Sequence, residues 1–174
     1  MAILRRMSTS SPSGGLHRLT RPQDAGAATL ARELSVAIIA ARFNDAIVNP
    51  LIDGALAAWR RHGGDPQRAT LMRVPGAFEL PLAAKRFAGS RRFDCVVALG
   101  CIIRGDTPHF DVIAAEAARG LSQASLDTGV PVAFGVLTVN TLEQAQERAA
   151  LDRMDKGGEA MLTAIEMALL LRQA

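Results

Sequence analysis

Residues 93–103 read Phe-Asp-Cys-Val-Val-Ala-Leu-Gly-Cys-Ile-Ile, and how this run is read decides the fold. It is apolar without alternation, rich in β-branched residues, and far short of the roughly 20 residues that a membrane span needs. That is the pattern of a strand covered on both faces, which occurs where a parallel sheet is packed between two layers of helix.

Working outward, residues 34–41 (LSVAIIAA) repeat the pattern and predict a second buried strand. From 47 to 62 the apolar residues Ile47, Val48, Leu51, Ile52, Ala55, Leu56 and Trp59 recur at intervals of three and four, and Gly63-Gly64 form a stop, so the segment predicts an amphipathic helix. The alternation continues with a strand at 68–74 and a helix at 78–88. Beyond the central run come a helix at 109–127, a strand at 132–139, and helical segments at 142–150 and 156–172. Strands separated by helices imply right-handed crossovers. The predicted architecture is a three-layer α/β/α sandwich of the flavodoxin-like type, with a parallel sheet of about four strands. Ligands of such sheets bind beyond the carboxyl ends of the strands. The residues around those positions are Arg42 to Asp45, Pro75 to Glu79, Arg104 to His109, and, around the last strand, Phe134 and Thr138.

A chain of 174 residues, 49% of them hydrophobic, fills one substantial core, and residues 31–174 are expected to form a single domain. Residues 1–30 mix Ser, Gly, Pro, Thr and Arg without period and are expected to be a disordered arm. They also hold the charge imbalance: five arginines face Asp24 and Glu33 up to residue 33, while the remaining residues carry fifteen basic and fifteen acidic side chains. A folded part that is formally neutral argues against a nucleic-acid surface. Arg5 and Arg6 lead into no apolar stretch, so no signal peptide is read, and no segment is long enough to enter a membrane. Cys95 and Cys101, six apart in one strand, lie roughly 20 Å apart and cannot pair with each other. A reducing, cytoplasmic setting is the expectation.

Three histidines, His17, His62 and His109, are scattered, and no Cys or His pair has ligand spacing with a third partner, so no metal is expected. No G-x-G-x-x-G, P-loop or G-x-S-x-G pattern follows a strand. What remains is Gly100 to Phe110, where a buried strand runs into a short turn whose Asp106 and Thr107 stand at the start of a helix, a natural seat for an anion. On local sequence alone Asp106 reads as a helix N-cap sooner than as a ligand. Histidine as a residue type suits proton transfer at neutral pH, which makes His109 a candidate, although a helix-start histidine is more often structural. Phe43 and Phe134 fall at or near strand ends, where a ring either packs in the core or stacks on a flat heterocycle. Glu79 is either an acceptor for sugar-alcohol hydroxyls or a first-turn acid held by the helix dipole. Arg148, among Glu143 and Glu147, reads locally as part of a solvated ion-pair face.

Five fragments, in order, resemble the lumazine synthase family: Ala41-Arg42-Phe43-Asn44, Val74 to Pro81, Ala98-Leu99-Gly100 with Ile103 to Phe110, Gly135 to Thr138, and Lys156 to Ala160. The resemblance spans nearly all of 34–172. It implies a cofactor-free transferase of riboflavin biosynthesis that condenses 5-amino-6-(D-ribitylamino)uracil with 3,4-dihydroxy-2-butanone 4-phosphate. For the pyrimidine it implies stacking on Phe43, contacts from Asn44, Ala77, Phe78, Cys101, Ile102 and Ile103, and Glu79 on the ribityl chain. For the keto-phosphate it implies Asp106, Thr107 and Arg148, with Lys156 a further candidate and His109 the proton shuttle. It also implies self-association, with Phe134 and Arg148 reaching into a neighbour's site, and riboflavin synthase as a candidate partner. Shell-forming members often carry a Gly- and Lys-containing turn between the last two helices, where this chain has Ala149 to Asp155 without glycine, so a pentamer or a decamer of two pentamers is expected. The competing reading is a non-catalytic flavin- or lumazine-binding oligomer of the same fold; the presence of His109, Thr107 and Arg148 together favours the enzyme.

Overall fold

The computed structural model describes residues 30–173. Four parallel strands, β1 (Val36–Ala41), β2 (Ala69–Val74), β3 (Cys95–Ile103) and β4 (Val132–Val139), lie in the order β2-β1-β3-β4. The helices are α1 (Asp45–Arg61), α2 (Leu80–Ala88), α3 (His109–Thr128), α4 (Leu142–Ala149) and α5 (Lys156–Leu171). Alternate residues of the central strands feed two cores. Ile38, Val97, Leu99 and Cys101 pack with α1, α4 and α5, whereas Ile39, Val96, Ala98 and Ile102 pack with α2 and α3. This is the three-layer sandwich that the unalternating apolar runs require, since each face of β1 and β3 is covered.

The element boundaries depart from expectation in instructive places. β1 and β3 each begin two residues later than the apolar runs do, because Ser35 and Asp94 bond each other: the Ser35 amide donates to Asp94 Oδ2 at 2.7 Å and the Asp94 amide to the Ser35 carbonyl at 2.8 Å. The expected helix at 78–88 is divided. Ala77–Glu79 form a single 3₁₀ turn, and α2 starts at Leu80, because Pro81 in its first turn has no N–H to return to Ala77. Of the expected arm, residues 1–29 lie outside the described residues, and Leu30 packs partly buried against the core.

Two packing details matter later. Trp59, the only tryptophan, is wholly buried near the end of α1, and its indole N–H donates to the Asp65 carbonyl at 2.9 Å. Gly157, in the first turn of α5, lies so close to α1 that a Cβ there would run into the Leu51 carbonyl.

Candidate active site

Because all four strands are parallel, the loops that follow β1, β2 and β3 gather along one edge. The first is held by backbone. Arg42 and Phe43 donate their amides to the Val74 and Pro75 carbonyls at 2.8 and 3.0 Å, which carries the β1–β2 pairing past both strands. Asn44 then turns left-handed (φ 58°), a conformation that asparagine tolerates better than most residues. Its side-chain amide donates to the Cys101 carbonyl at 2.9 Å, so this residue pins the loop onto β3. The Phe43 ring is left 70% exposed.

Beside it opens a cleft of about 470 Å³. Phe43 forms one side. Ala77, Phe78 and Glu79, on the 3₁₀ turn after β2, form a second, with the Phe78 ring 57% exposed. Cys101, Ile102 and Ile103 at the end of β3 form the floor, and Thr107 and His109 close the far end. Burial pushes the Cys101 thiol up to about 11, so near neutral pH it is a protonated wall group and no nucleophile. Phe110 and Ile113 also line the cleft, and neither was assigned a role from the sequence. The available signal was spacing: Ile113 follows His109 by four on α3 and so shares its face.

The remaining candidates are placed elsewhere. Asp106 is exposed and is not among the lining residues, and its reading as an N-cap is corrected: α3 starts at His109, Pro108 occupies the cap position, and no side chain caps the helix. Asp106 and Thr107 therefore lie in the turn before the helix. Among the described residues, the amides of Gly105, Asp106 and Thr107 meet no acceptor. Phe134 lies near the amino end of β4, opposite Ala98 in the middle of β3, so it is near a strand end as read from sequence but not at the carboxyl edge where the cleft opens. It is 45% exposed and shares a shallow hollow of about 230 Å³ with Lys156 at the β4–α5 edge. Lys156 pairs with Glu159 at 2.6 Å. Arg148 makes no ion pair with Glu143 or Glu147; its guanidinium donates to the Gln144 carbonyl of its own helix at 3.1 Å. Within one chain, then, the structure brings Phe43, Ala77, Phe78, Glu79, Cys101, Ile102, Ile103, Thr107 and His109 to one cleft and leaves Phe134, Arg148 and Lys156 out of it. No group of three His, Cys, Asp or Glu among the described residues could hold a metal ion.

The family model described as 6,7-dimethyl-8-ribityllumazine synthase matches residues 33–172. The chain belongs to this family. A 6,7-dimethyl-8-ribityllumazine synthase of Chlorobium chlorochromatii is 54% identical over 140 residues, covering 80% of this chain and 90% of that one. The lumazine synthase of Syntrophus aciditrophicus is 54% identical over 144 residues, with 83% and 94% coverage, and that of Halorhodospira halophila is 55% identical over 137, with 79% and 88%. The matched region contains every candidate residue of the lumazine synthase site and omits the first 32 residues.

Proposed function

We propose that this lumazine synthase family member is the enzyme that joins 5-amino-6-(D-ribitylamino)uracil to 3,4-dihydroxy-2-butanone 4-phosphate, and that the cleft behind Phe43 is where it does so. The observation that carries the reading is the meeting of an exposed phenyl ring, a carboxylate, an anion-ready turn and one imidazole around a single cavity of suitable size. The pyrimidine stacks on Phe43, with backbone groups of Ala77, Phe78 and Cys101 to Ile103 along its edges and Glu79 on the ribityl hydroxyls. The phosphate sits on the free amides at Asp106-Thr107. Asn44 acts through the loop it pins.

The chemistry then needs proximity and proton transfer. The ring amine adds to the ketone and water leaves to give an imine, phosphate departs by elimination, and the ribitylamino nitrogen closes the second ring with loss of another water. Each step moves protons, which one imidazole at His109 can carry in turn, typically for about 10²–10⁴-fold in rate. Two substrates held face to face also avoid the entropy of a bimolecular encounter. No cofactor enters the scheme.

Phe134, Arg148 and Lys156 complete a neighbouring copy's cleft in this reading. Its support is that all three lie away from the chain's own cleft, and that Leu82 and Leu126, on α2 and α3, are 78% and 77% exposed. The assembly is read as a pentamer or a decamer of two pentamers; light scattering at a mass of sixty chains would defeat that. A cytoplasmic setting and a riboflavin synthase partner belong to the same reading, the latter tested by co-elution of the two purified proteins. The central experiment mixes the protein with both substrates and follows lumazine formation. Arg148→Ala is expected to weaken keto-phosphate use, and an unchanged KM for that substrate would count against its role.

A further inference from the structure

We propose that Arg104 is a positioning residue for this reaction: it clamps the turn that carries Thr107 and His109. Arg104 is the first residue after β3, and its amide donates to the Val139 carbonyl at 2.9 Å, prolonging the β3–β4 pairing by one residue. Its guanidinium then reaches three further places. Two nitrogens fork onto the Asp111 carboxylate at 2.8 and 3.1 Å, Nε donates to Asn140 Oδ1 at 3.2 Å, and the guanidinium carbon stands 4.1 Å from the centroid of the Phe110 ring. One side chain thus ties the end of β3 to the loop after β4 and to the first turn of α3.

The segment it encloses has little else to hold it. The amides of Gly105, Asp106 and Thr107 find no acceptor among the described residues, no side chain caps α3, and a Cβ on Gly105 would meet nothing within 4 Å. His109 directly precedes the two residues that the clamp grips, and Phe110 is both a clamp surface and a cleft wall. An exposed ion pair usually adds little to stability. This one is bidentate, with its third nitrogen bonded and its face on a ring, so what it fixes is direction. A displacement of about 1 Å at a reacting group can cost roughly 10² in rate, which gives such a clamp its leverage over phosphate binding and proton transfer.

The proposal rests on the reading of the cleft given above, and the experiment separates the two. Steady-state kinetics are measured on the full chain, on Arg104→Gln, on Asp111→Asn, on the double variant, and on His109→Ala as control. Each single variant is expected to lower kcat/KM for the keto-phosphate by roughly 10- to 100-fold, through both constants. The KM for the pyrimidine should stay within about twofold and the thermal midpoint should hold. The double variant should be no worse than the poorer single, since both remove one interaction. Additive losses, an equal rise in the pyrimidine KM, or unaltered kinetics would overturn the clamp. A full chain without turnover, or His109→Ala at full rate, would instead overturn the reading of the cleft. Amide hydrogen exchange decides the clamp without chemistry: Asp111 and Val112 donate their amides to the Pro108 carbonyl, and in Arg104→Gln both should exchange faster. Unchanged protection there overturns it.

Discussion

A phenyl ring that is 70% exposed beside a cleft forgoes burial, and the loop under Phe43 is stiffened by bonds to β2 and β3 rather than by the ring's own packing. Phe43→Ala should therefore leave the thermal midpoint near its original value while raising the KM for the pyrimidine by about tenfold, the equivalent of about 1.4 kcal/mol of lost stacking. A large drop in stability with no change in KM would make Phe43 a packing residue. His109→Ala should slow turnover by about 10²–10⁴-fold with pyrimidine binding nearly intact, and full activity would remove it from the chemistry. The cysteines make a pH prediction. Burial, with the nearby Asp94 charge second, pushes the Cys95 thiol from 9.0 to about 12. The raised value means that the folded state keeps a proton which the unfolded chain releases. The contribution is complete below pH 9 and is lost as the pH climbs toward 12. Denaturant midpoints measured from pH 8 upward should fall, and Cys95→Ala should flatten that slope even though its starting stability is lower.

At the scale of elements, the strands were readable because burial on both faces of β1 and β3 leaves no polar residue inside either run. Their first residues were not readable, since the Ser35–Asp94 bonds join segments distant in sequence. The 3₁₀ turn at Ala77–Glu79 carried a signal in Pro81, whose missing N–H forbids a continuous helix there. Much of the cleft was legible for a related reason: parallel strands oblige their following loops to converge, so Phe43, Ala77 to Glu79, Thr107 and His109 could be named from position alone. Phe110 and Ile113 were given no role, because a shared helix face with His109 places Ile113 beside it but does not separate a cleft wall from core. The α1–α5 contact offers its own test. Gly157→Ala should cost about 1–3 kcal/mol, because the added methyl must displace the Leu51 backbone, and thermal unfolding should register it as a drop of several degrees. An unaltered midpoint would mean that the two helices can part without penalty.

For the molecule as a whole, one chain supplies a cleft with an exposed phenyl ring and an imidazole while Arg148, Phe134 and Lys156 lie elsewhere. No single sequence reveals which surface a second copy will cover, so Phe134 and Arg148 were assigned to a neighbour's site by resemblance and not by local pattern, and Lys156 was assigned to none. If neighbouring copies share sites, two impaired variants assayed at low keto-phosphate should rescue each other. Co-expressed His109→Ala and Arg148→Ala chains, mixed equally and at random around a ring, would leave about a quarter of the sites with both intact residues. Activity near that fraction supports sharing; a mixture as inactive as its components would argue that each chain works alone.

Trp59 has an optical consequence. The chain has one tryptophan and no tyrosine, so its ultraviolet emission comes almost entirely from an indole sealed near the far end of α1, roughly 20 Å of helix from the Phe43 loop. The protein is thus born with a single lamp in its frame and none in its doorway. A red shift in that lamp signals the frame coming apart, while molecules passing the doorway can be followed by their own colour against a dark background.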